Sequence, residues 1–421
     1  MIVLPLYAWA ATMAAPFLRR HLRTRVVAGK EIPNRLGERR GYSQMMRPRG
    51  RLVWLHAASV GETVSVLPVI TALLEQPDLS VLMTTGTVTS ASLLALRSDE
   101  RGWEGRVLHR FVPLDVPRWG RRFLDHWRPD VAGFVESEIW PNLMRSCHRR
   151  RIPLMLINAR MSRRSFARWR LVPGARGGLF RRFAAVQAQT DADAQRFRRL
   201  GARVVTSPGN LKFATPPLPV DEAELARLQA LLGHAPRWLA ASTHPGEEAI
   251  ARRVHEALAR LHPGLITIIA PRHPERGEEI AEGAPRRALG QDPPPGGGVW
   301  VADTLGEMGL LFRLSPIVFV GCSLAVGGGH NPLEPARLGC AVAMGPMVAN
   351  CIEAVEVLRA AGALESVADE DALRNWVETM LAASERVAGM GQAGIAAASA
   401  TADLPAQVAQ MLLGLVPQQA A

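Results

Sequence analysis

Lysine is almost missing from this chain: of 50 basic residues, only Lys30 and Lys212 are lysine and the others are arginine. A GC-rich coding sequence accounts for most of that bias, which replaces lysine wherever a guanidinium serves. A lysine that survives is a candidate for a place needing a compact ammonium with three donors. Lys212, in Gly209-Asn210-Leu211-Lys212-Phe213, is therefore of interest, with chance survival an equal reading. Cysteine is scarce as well. Cys147, Cys322, Cys340 and Cys351 lack close paired spacing, which indicates neither a disulfide framework nor a zinc site and suits a reducing cytosol. Long apolar runs are absent too. Met1 to Leu18 carry no charge, but the stretch falls short of the roughly 20 residues of a full span, and Pro5 and Pro16 interrupt it. Arg19, Arg20, Arg23 and Arg25 follow this stretch, whereas a cleavable signal peptide places its charge first. Residues 1–25 thus read as a shallow or tilted membrane anchor with its arginines at cytoplasmic headgroups, or as a buried first helix.

What is present points to a globular protein of two domains. The chain has 421 residues, 48% hydrophobic and 21% charged, enough for two ordinary cores. Its net charge of +12 calls for anionic partners: phosphate-bearing substrates, an acidic membrane surface or nucleic acid. Charge alone does not choose among them. Apolar runs at 52–55, 81–85, 131–135, 153–157 and 184–188 read as strands separated by amphipathic helices, a parallel α/β sheet. Thr215-Pro216-Pro217-Leu218-Pro219 reads as a linker. A second set of strands is expected at 238–241, 265–270, 299–302, 317–320 and 341–344, with a surface loop at 291–298. The expected boundaries are 26–208 for the first domain, 209–220 for the linker and 221–421 for the second domain. Two such domains leave a cleft at the carboxyl ends of their sheets, where ligands bind.

The segment from Ile317 to Glu334 is the most informative. An apolar run ends at Gly321, the triplet Gly327-Gly328-Gly329 follows, and Asn331 and Pro332 open a helix bearing Leu333 and Glu334. Glycines let backbone N–H groups approach a phosphate, and a helix N-terminus favours an anion. Glu334 repels phosphate and suits ribose hydroxyls, so the pattern suggests a nucleotide held by sugar and phosphate. An ordinary glycine-rich turn is the plain alternative.

The first half supplies carboxylates. Strand 52–55 runs into His56-Ala57-Ala58-Ser59-Val60-Gly61-Glu62, then a helix over 63–76 with Val64, Leu67, Thr71 and Leu74 expected on one face. Glu62 is either a general base or a helix-start glutamate bonded to backbone donors. His56, Ser59 and Gly61 accompany it, and a lone histidine there is more often a hydrogen-bonding residue than a catalyst. Strand 131–135 leads to Glu136-Ser137-Glu138, and the next strand ends at Asn158-Ala159-Arg160. Glu136 and Glu62 can face one cavity and push each other's pKa apart. Glu138 reads equally as a residue opening a helix. Thr84-Thr85-Gly86-Thr87 offers hydroxyls to a polar ligand.

These segments, with Gly209 to Phe213, Ser242-Thr243-His244-Pro245-Gly246-Glu247-Glu248, Pro271-Arg272-His273-Pro274-Glu275-Arg276 and Gly328 to Glu334, stand in the order seen in 3-deoxy-D-manno-octulosonic acid (Kdo) transferases, which the chain resembles over nearly its whole length. The resemblance implies a GT-B fold: two Rossmann-like parallel-sheet domains facing a cleft, with an N-terminal membrane-anchoring segment. It implies transfer of Kdo from CMP-Kdo to a lipid A precursor at the cytoplasmic face of the inner membrane, in lipopolysaccharide core synthesis. By position, Glu62 corresponds to the proton acceptor, and Glu136 and Lys212 to transition-state stabilisers. Donor contacts fall on Pro271 and Arg272, on Leu305, Gly306 and Glu307, and on Asn331, Pro332, Leu333 and Glu334, with His244 and His273 as further candidates. Leu305 stands where methionine is commoner.

No Asp-x-Asp metal motif is read in the chain, so no cofactor and no required divalent cation are expected. Direct attack would invert the anomeric centre. Residues 161–183 interleave Arg163, Arg164, Arg168, Arg170, Arg176, Arg181 and Arg182 with Phe166, Trp169, Phe180 and Phe183, and are expected either to face an anionic bilayer or to form a solvated helix face. A GT-B enzyme using a UDP-sugar is the competing class. Nucleic-acid binding is not expected, because the arginines are dispersed and no helix-turn-helix or stacking signature occurs.

Overall fold

The computed structural model describes residues 3–214, 217–325 and 327–417. It divides into two compact units, Met1–Thr215 with Thr401–Ala421, and Pro216–Ala400. The first is built on strands β1 (Arg51–Ala57), β2 (Leu79–Thr85), β3 (Val107–Phe111), β4 (Val131–Val135), β5 (Leu154–Ala159), β6 (Ala185–Ala188) and β7 (Val205–Thr206). They lie in the order β3-β2-β1-β4-β5-β6-β7, and every pairing is parallel. The second unit holds β8 (Arg237–Thr243), β9 (Ile266–Pro271), β10 (Gly298–Val301), β11 (Ile317–Val320), β12 (Ala341–Met344) and β13 (Leu364–Ser366), in the order β10-β9-β8-β11-β12-β13, again parallel. Strand order reverses between β1 and β4 in one sheet and between β8 and β11 in the other. Those reversals open a crevice at the carboxyl ends of the strands, the place where open α/β sheets bind ligands.

The central strands are apolar on both faces because helices cover both sides of a parallel sheet. In β4, Gly133 lets three side chains close in: a Cβ there would lie 2.6 Å from Ile157 Cδ1 and 2.9 Å from Leu55 Cδ2. Over this point crosses helix Leu404–Leu415, burying Leu404, Val408, Ala409 and Leu412 in the first unit's core. At about 1.5–3 kcal/mol for each large side chain removed from water, that burial explains why 401–421 belongs to the first unit and not to a C-terminal domain running to residue 421. The expected linker also begins too early. Leu211 and Ala214 are core residues of the first unit, while residues 215–216 lie outside those described.

Helix Val60–Leu73 starts at Ser59, whose hydroxyl accepts from Glu62 N–H. Its buried face is Glu62, Thr63, Val66, Leu67, Ile70 and Leu73, while Val64 is exposed and Thr71 and Leu74 lie outside the buried set. Buried residues lie on more than one side of the helix, so of the expected face only Leu67 is in the core. Residues 161–183 also differ from expectation. Phe180 and Phe183 are buried, Phe166 and Trp169 pack half-buried on the same core, and the basic side chains of helix Arg163–Leu171 face outward together with Leu171, which is 82% exposed. The aromatic residues there contribute to the first unit's core; the side chain of Arg176 lies outside those described.

Exposed apolar surface is found at the N-terminus instead. Helices Val3–Met13 and Ala15–Val27 leave Leu6, Trp9, Met13 and Phe17 exposed, with Phe17 at 76%. The pair docks on helix Pro117–Trp127 through Ala15, Val116 and Trp119, and through a 3.1 Å hydrogen bond from the Tyr7 hydroxyl to Asp115. Among the described residues no helix is long and apolar enough to cross a membrane.

Candidate active site

At the β1/β4 reversal the predicted residues of the first unit come together. Glu62 is 9% exposed; its Oε2 accepts from Ala58 N–H (2.8 Å) and its Oε1 from the Ser59 hydroxyl (2.8 Å), while the Ser59 hydroxyl accepts from Glu62 N–H (3.3 Å). This is a variant of the capping box in which the carboxylate takes the N–H of Ala58, one residue before the cap, so the structural reading of Glu62 is realised. It does not exclude the chemical one. Burial pushes the Glu62 carboxyl above the ordinary carboxylate range; the Ala58 and Ser59 donors oppose this, and the nearby charges of Glu138 and Glu136 add to it. A carboxylate made more basic in this way is a better proton acceptor at neutral pH.

Glu138 is driven the other way. Burial acts to raise its pKa, but donation from His56 and from Trp140 Nε1 (2.7 Å) outweighs burial and holds the carboxyl below its usual range. His56 is fully buried, with Nδ1 3.1 Å from Thr84 O and Nε2 3.3 Å from Glu138 Oε2. Thr84 O and the Glu138 carboxylate can both only accept, so the imidazole bridges the end of β2 and Glu138 through its two ring nitrogens. His56 therefore positions Glu138. The Thr84 and Thr85 hydroxyls are not offered to a ligand: Thr84 Oγ1 accepts from Trp54 Nε1 and donates to Leu55 O, Thr85 Oγ1 contacts His109, and Thr87 caps the next helix.

Glu136 and Lys212, far apart in sequence, form an ion pair with Nζ 2.5 Å from Oε1. Both are held by strained or pinned backbone. Glu136 (φ 54°) and Asn158 (φ 52°) occupy the left-handed region just past and near the ends of β4 and β5. Such strain, of order 1–3 kcal/mol each, persists only where surroundings impose it, and it clusters at functional sites. Asn158 Oδ1 accepts from Leu211 N–H (2.9 Å) and its Nδ2 donates to Asn210 Oδ1 (3.1 Å). Gln187, buried in β6, accepts from Asn158 N–H (2.6 Å) and donates to Gly209 O (3.0 Å). These amides lock 209–212 at the carboxyl ends of β5 and β6 and so aim Lys212. Gln187 escaped sequence reasoning; a lone amide in an otherwise apolar strand was its only signal. Gly61 has nothing packed against it, and Arg160 contributes its carbonyl to Ser137 (2.8 Å).

The second unit repeats the strained strand ends, with Ser242 at φ 54° and Cys322 at φ 60°. At its β8/β11 reversal the glycine triplet does not behave as expected. Gly328 N–H donates to Met347 O and Gly329 N–H to Cys322 O, so neither is left for a phosphate. The triplet is needed for space: a Cβ on Gly328 would lie 2.3 Å from Asn350 Nδ2, and one on Gly329 2.7 Å from Cys351 Sγ. The N–H groups of Cys322, Ser323 and Leu324 are taken by the buried carboxylate of Glu247, at 2.7, 2.9 and 3.0 Å. Asn331 Oδ1 caps Leu333 N–H (3.1 Å) as expected, and the short helix Leu333–Arg337 begins one residue after Pro332. Burial raises the Glu334 carboxyl; the Asn331 amide, Arg337 and Arg272 oppose it.

Arg272 follows β9, its N–H bonded to Thr243 O (3.0 Å). His330 is pushed down by burial and then by the positive surroundings of His244, Arg272 and His273, so these groups share one neighbourhood with Glu334. His244 and His330 stack with their Nε2 atoms 3.0 Å apart. Leu305, Gly306 and Glu307 are tied elsewhere: Leu305 is 78% exposed, Gly306 turns at φ 83°, and Glu307 pairs with Arg287 (2.5 Å) and contacts Thr304.

His244, Cys322 and His330 place their ligand atoms within 4.8 Å of one another and could hold a thiophilic cation, although the histidine pair and a Cys322 Sγ–H bond to Gly327 O (3.5 Å) account for the cluster without one. Asp-x-Asp spacing does occur, at Asp191-Ala192-Asp193 and Asp369-Glu370-Asp371, contrary to the sequence reading. Both serve helix starts. Asp193 accepts from Thr190, Arg196 and Met161 N–H, Asp369 caps Ala372 N–H, and Asp371 pairs with Arg374.

Two parallel-sheet α/β units, each with polar groups gathered at its strand-order reversal, make up the GT-B architecture. A solved glycosyltransferase from Rickettsia africae shares this fold, with a TM-score of 0.53 at 10% identity over 89% of this chain and all of that one. The family model for 3-deoxy-D-manno-octulosonic-acid transferase matches residues 34–215. A probable mitochondrial 3-deoxy-D-manno-octulosonic acid transferase of Arabidopsis thaliana is 35% identical, covering 86% of this chain and 84% of that protein; the Rickettsia bellii transferase is 33% identical over 85% and 86%. The chain belongs to the Kdo transferase family, and it is a glycosyltransferase.

Proposed function

We propose that this enzyme moves Kdo from CMP-Kdo to a hydroxyl of a lipid A precursor, with inversion and without a required divalent cation. The grouping of Glu62, Glu136 and Lys212 at the β1/β4 reversal carries this reading. In the step, Glu62 takes the proton of the acceptor hydroxyl as its oxygen bonds to the anomeric carbon of Kdo; the bond from that carbon to the phosphate oxygen breaks, and CMP leaves. Positive charge builds on the sugar and negative charge on the departing phosphate, where fixed groups act most strongly. Arg272 is the cation of the donor neighbourhood, and Asn331 and Glu334 suit a ribose. Lys212, held by Glu136 and the Asn158–Gln187 amides, is the fixed ammonium of the first unit. This division of charge leaves no step that needs a metal.

Mass spectrometry of the purified chain with CMP-Kdo and the tetra-acylated disaccharide bisphosphate tests the proposal. One or more Kdo additions, undiminished by EDTA, are expected; transfer from a UDP-sugar in place of CMP-Kdo would overturn it. Lys212→Arg keeps the charge but replaces the compact ammonium paired with Glu136 by a planar fork of different donor geometry, and is expected to lower kcat by about 10- to 100-fold with thermal stability little changed. Wild-type kcat in that variant would remove Lys212 from the mechanism.

The exposed Leu6, Trp9, Met13 and Phe17, followed by Arg19 to Arg25, suit a helix pair lying in the interface at the cytoplasmic face of the inner membrane. Trp9→Ser/Phe17→Ser is expected to release the protein from anionic vesicles in flotation. Undiminished flotation would reject this placement.

A further inference from the structure

We propose that a basic cavity beside β3, lined by Arg35, Arg40 and Arg110 with Glu38, Tyr42 and Ser43, binds a phosphomonoester of the lipid acceptor. The cavity has a volume of about 590 Å³ and is formed by residues 34–45 and the penultimate residue of β3. It rests on the functional reading above only for the identity of the molecule bearing the phosphate.

The loop is a fixed structure. Two short turns, Pro33–Arg35 and Glu38–Arg40, end at Gly41, which sits at φ 78° and whose Cβ would lie 2.2 Å from Trp119 O. Arg39 is turned inward and 3% exposed, paired through both its Nε and Nη2 with the buried Glu31 and donating to Gly86 O (2.7 Å). That arginine is anchor and not ligand. Its neighbours Arg35 and Arg40 line the cavity.

Charge in the cavity is unbalanced. Glu38 takes both donors of Arg35 at 2.9 Å, accepts from Phe111 N–H (2.7 Å) and lies 3.9 Å from Arg110. Arg110 otherwise bonds the Ser43 hydroxyl (3.2 Å) and His109 O (2.6 Å). Arg40 has no carboxylate partner among the described residues; its guanidinium lies 5.5 Å from the Tyr42 ring, which Arg122 approaches to 3.7 Å. Three guanidinium groups thus line a cavity that holds one carboxylate, which only Arg35 and Arg110 contact, with a fourth guanidinium, that of Arg122, at the tyrosine. Burial, and then Arg35, push Arg110 below its usual value against the pull of Glu38. His109, pushed down to about 3 by burial and then by Arg35, Arg110 and Arg39, is neutral and adds no charge. A phosphomonoester dianion is the ligand that balances such a set, and guanidinium forks match its oxygens in pairs.

Position agrees with a lipid acceptor. Two strand spacings, roughly 10 Å, separate β3 from β1, whose carboxyl end carries the Glu62 loop. A phosphate and a reacting hydroxyl on one disaccharide span such a distance. Helix Pro117–Trp127, which donates from Arg122 to Arg40 O (2.8 Å), is also the helix on which the exposed apolar N-terminal helices dock. Head group and acyl chains would therefore meet adjoining surfaces of one unit.

The test uses the full chain, Arg40→Gln, and Arg40→Gln/Arg110→Gln. Wild type is expected to show KM raised about tenfold or more for an acceptor stripped of its phosphates, and the double variant to show that penalty reduced to under about threefold, the single variant falling between. Independent, multiplying penalties would overturn the proposal. Phosphorus NMR with glucose 1-phosphate as a soluble probe reads the cavity without turnover: affinity should fall about tenfold in the double variant, and equal binding overturns the site even if no acceptor reacts. Should the double variant lose binding to phosphatidylglycerol vesicles while the acceptor penalty stays intact, the cavity serves bulk headgroups and the acceptor assignment fails. Should inorganic phosphate bind wild type as tightly as glucose 1-phosphate, with the acceptor penalty again unaltered, it is a site for free phosphate and the assignment fails likewise.

Discussion

Glu62→Gln is expected to lower kcat by about 10² to 10⁴ while leaving the first unit folded and donor affinity intact. The substitution separates the two roles that this residue holds. As the third residue of a capping box, glutamine is an accepted replacement: its carbonyl oxygen can take the Ala58 N–H, and its amide can donate to the Ser59 hydroxyl, which has lone pairs to spare. As a proton acceptor, glutamine has no function. A variant that unfolds like wild type and turns over like wild type would leave Glu62 with capping alone. The pH profile gives a second reading. Because burial raises the Glu62 carboxyl, the fraction in the basic form grows through a higher range than for an ordinary carboxylate, and kcat should rise with pH through that range. The rise should vanish in Glu62→Gln. An identical rise in the variant assigns the titration to another group.

Parallel strands buried on both faces wrote themselves plainly into the sequence. β4, β11 and β12 occur at the residues expected, because nothing polar interrupts Val131–Val135, Ile317–Val320 or Ala341–Met344. Three of the four edge strands did not, the exception being the apolar β10. β3 carries His109 and Arg110, β7 has only Val205 and Thr206, and β13 contains Glu365 and Ser366, since strands with one side open need not be apolar. At the site, Glu62, Glu136 and Asn158 were legible as polar residues following apolar strands. Their meeting with Lys212 was not, because ion pairing across the fold leaves no spacing to read. The glycine triplet misled for a related reason: composition shows where N–H groups are accessible in principle, but Met347 O and Cys322 O had already claimed two of them. The pocket of N–H groups at 322–324 was filled from a different helix.

That filling group is the basis of the second large effect: Glu247→Ala is expected to destabilise the second unit by about 3–5 kcal/mol, a large share of the roughly 5–15 kcal/mol that holds a domain folded. Glu247 is 1% exposed and joins both sides of the β8/β11 reversal, with Oε2 accepting from His244 N–H (3.0 Å) and Cys322 N–H (2.7 Å), and Oε1 from Ser323 N–H (2.9 Å) and Leu324 N–H (3.0 Å). Alanine strands four donors in a closed space, and each unsatisfied buried group costs about 1–3 kcal/mol before relaxation. Glutamine does not rescue it, in contrast to position 62. Whichever way the amide turns, its NH₂ faces two backbone donors and no acceptor, so Glu247→Gln should lie closer to alanine than to wild type. Gly321 is part of the same device, since a Cβ there would sit 2.8 Å from Glu247 Oε2. In thermal unfolding the second unit's transition should drop by about 6–15 °C in Glu247→Ala with the first unit's unmoved. CMP binding should weaken with it, because His244, Cys322 and the loop to His330 lose their common anchor. A drop under about 2 °C would mean that water replaces the carboxylate, and that the loops at the β8/β11 reversal keep their shape without it.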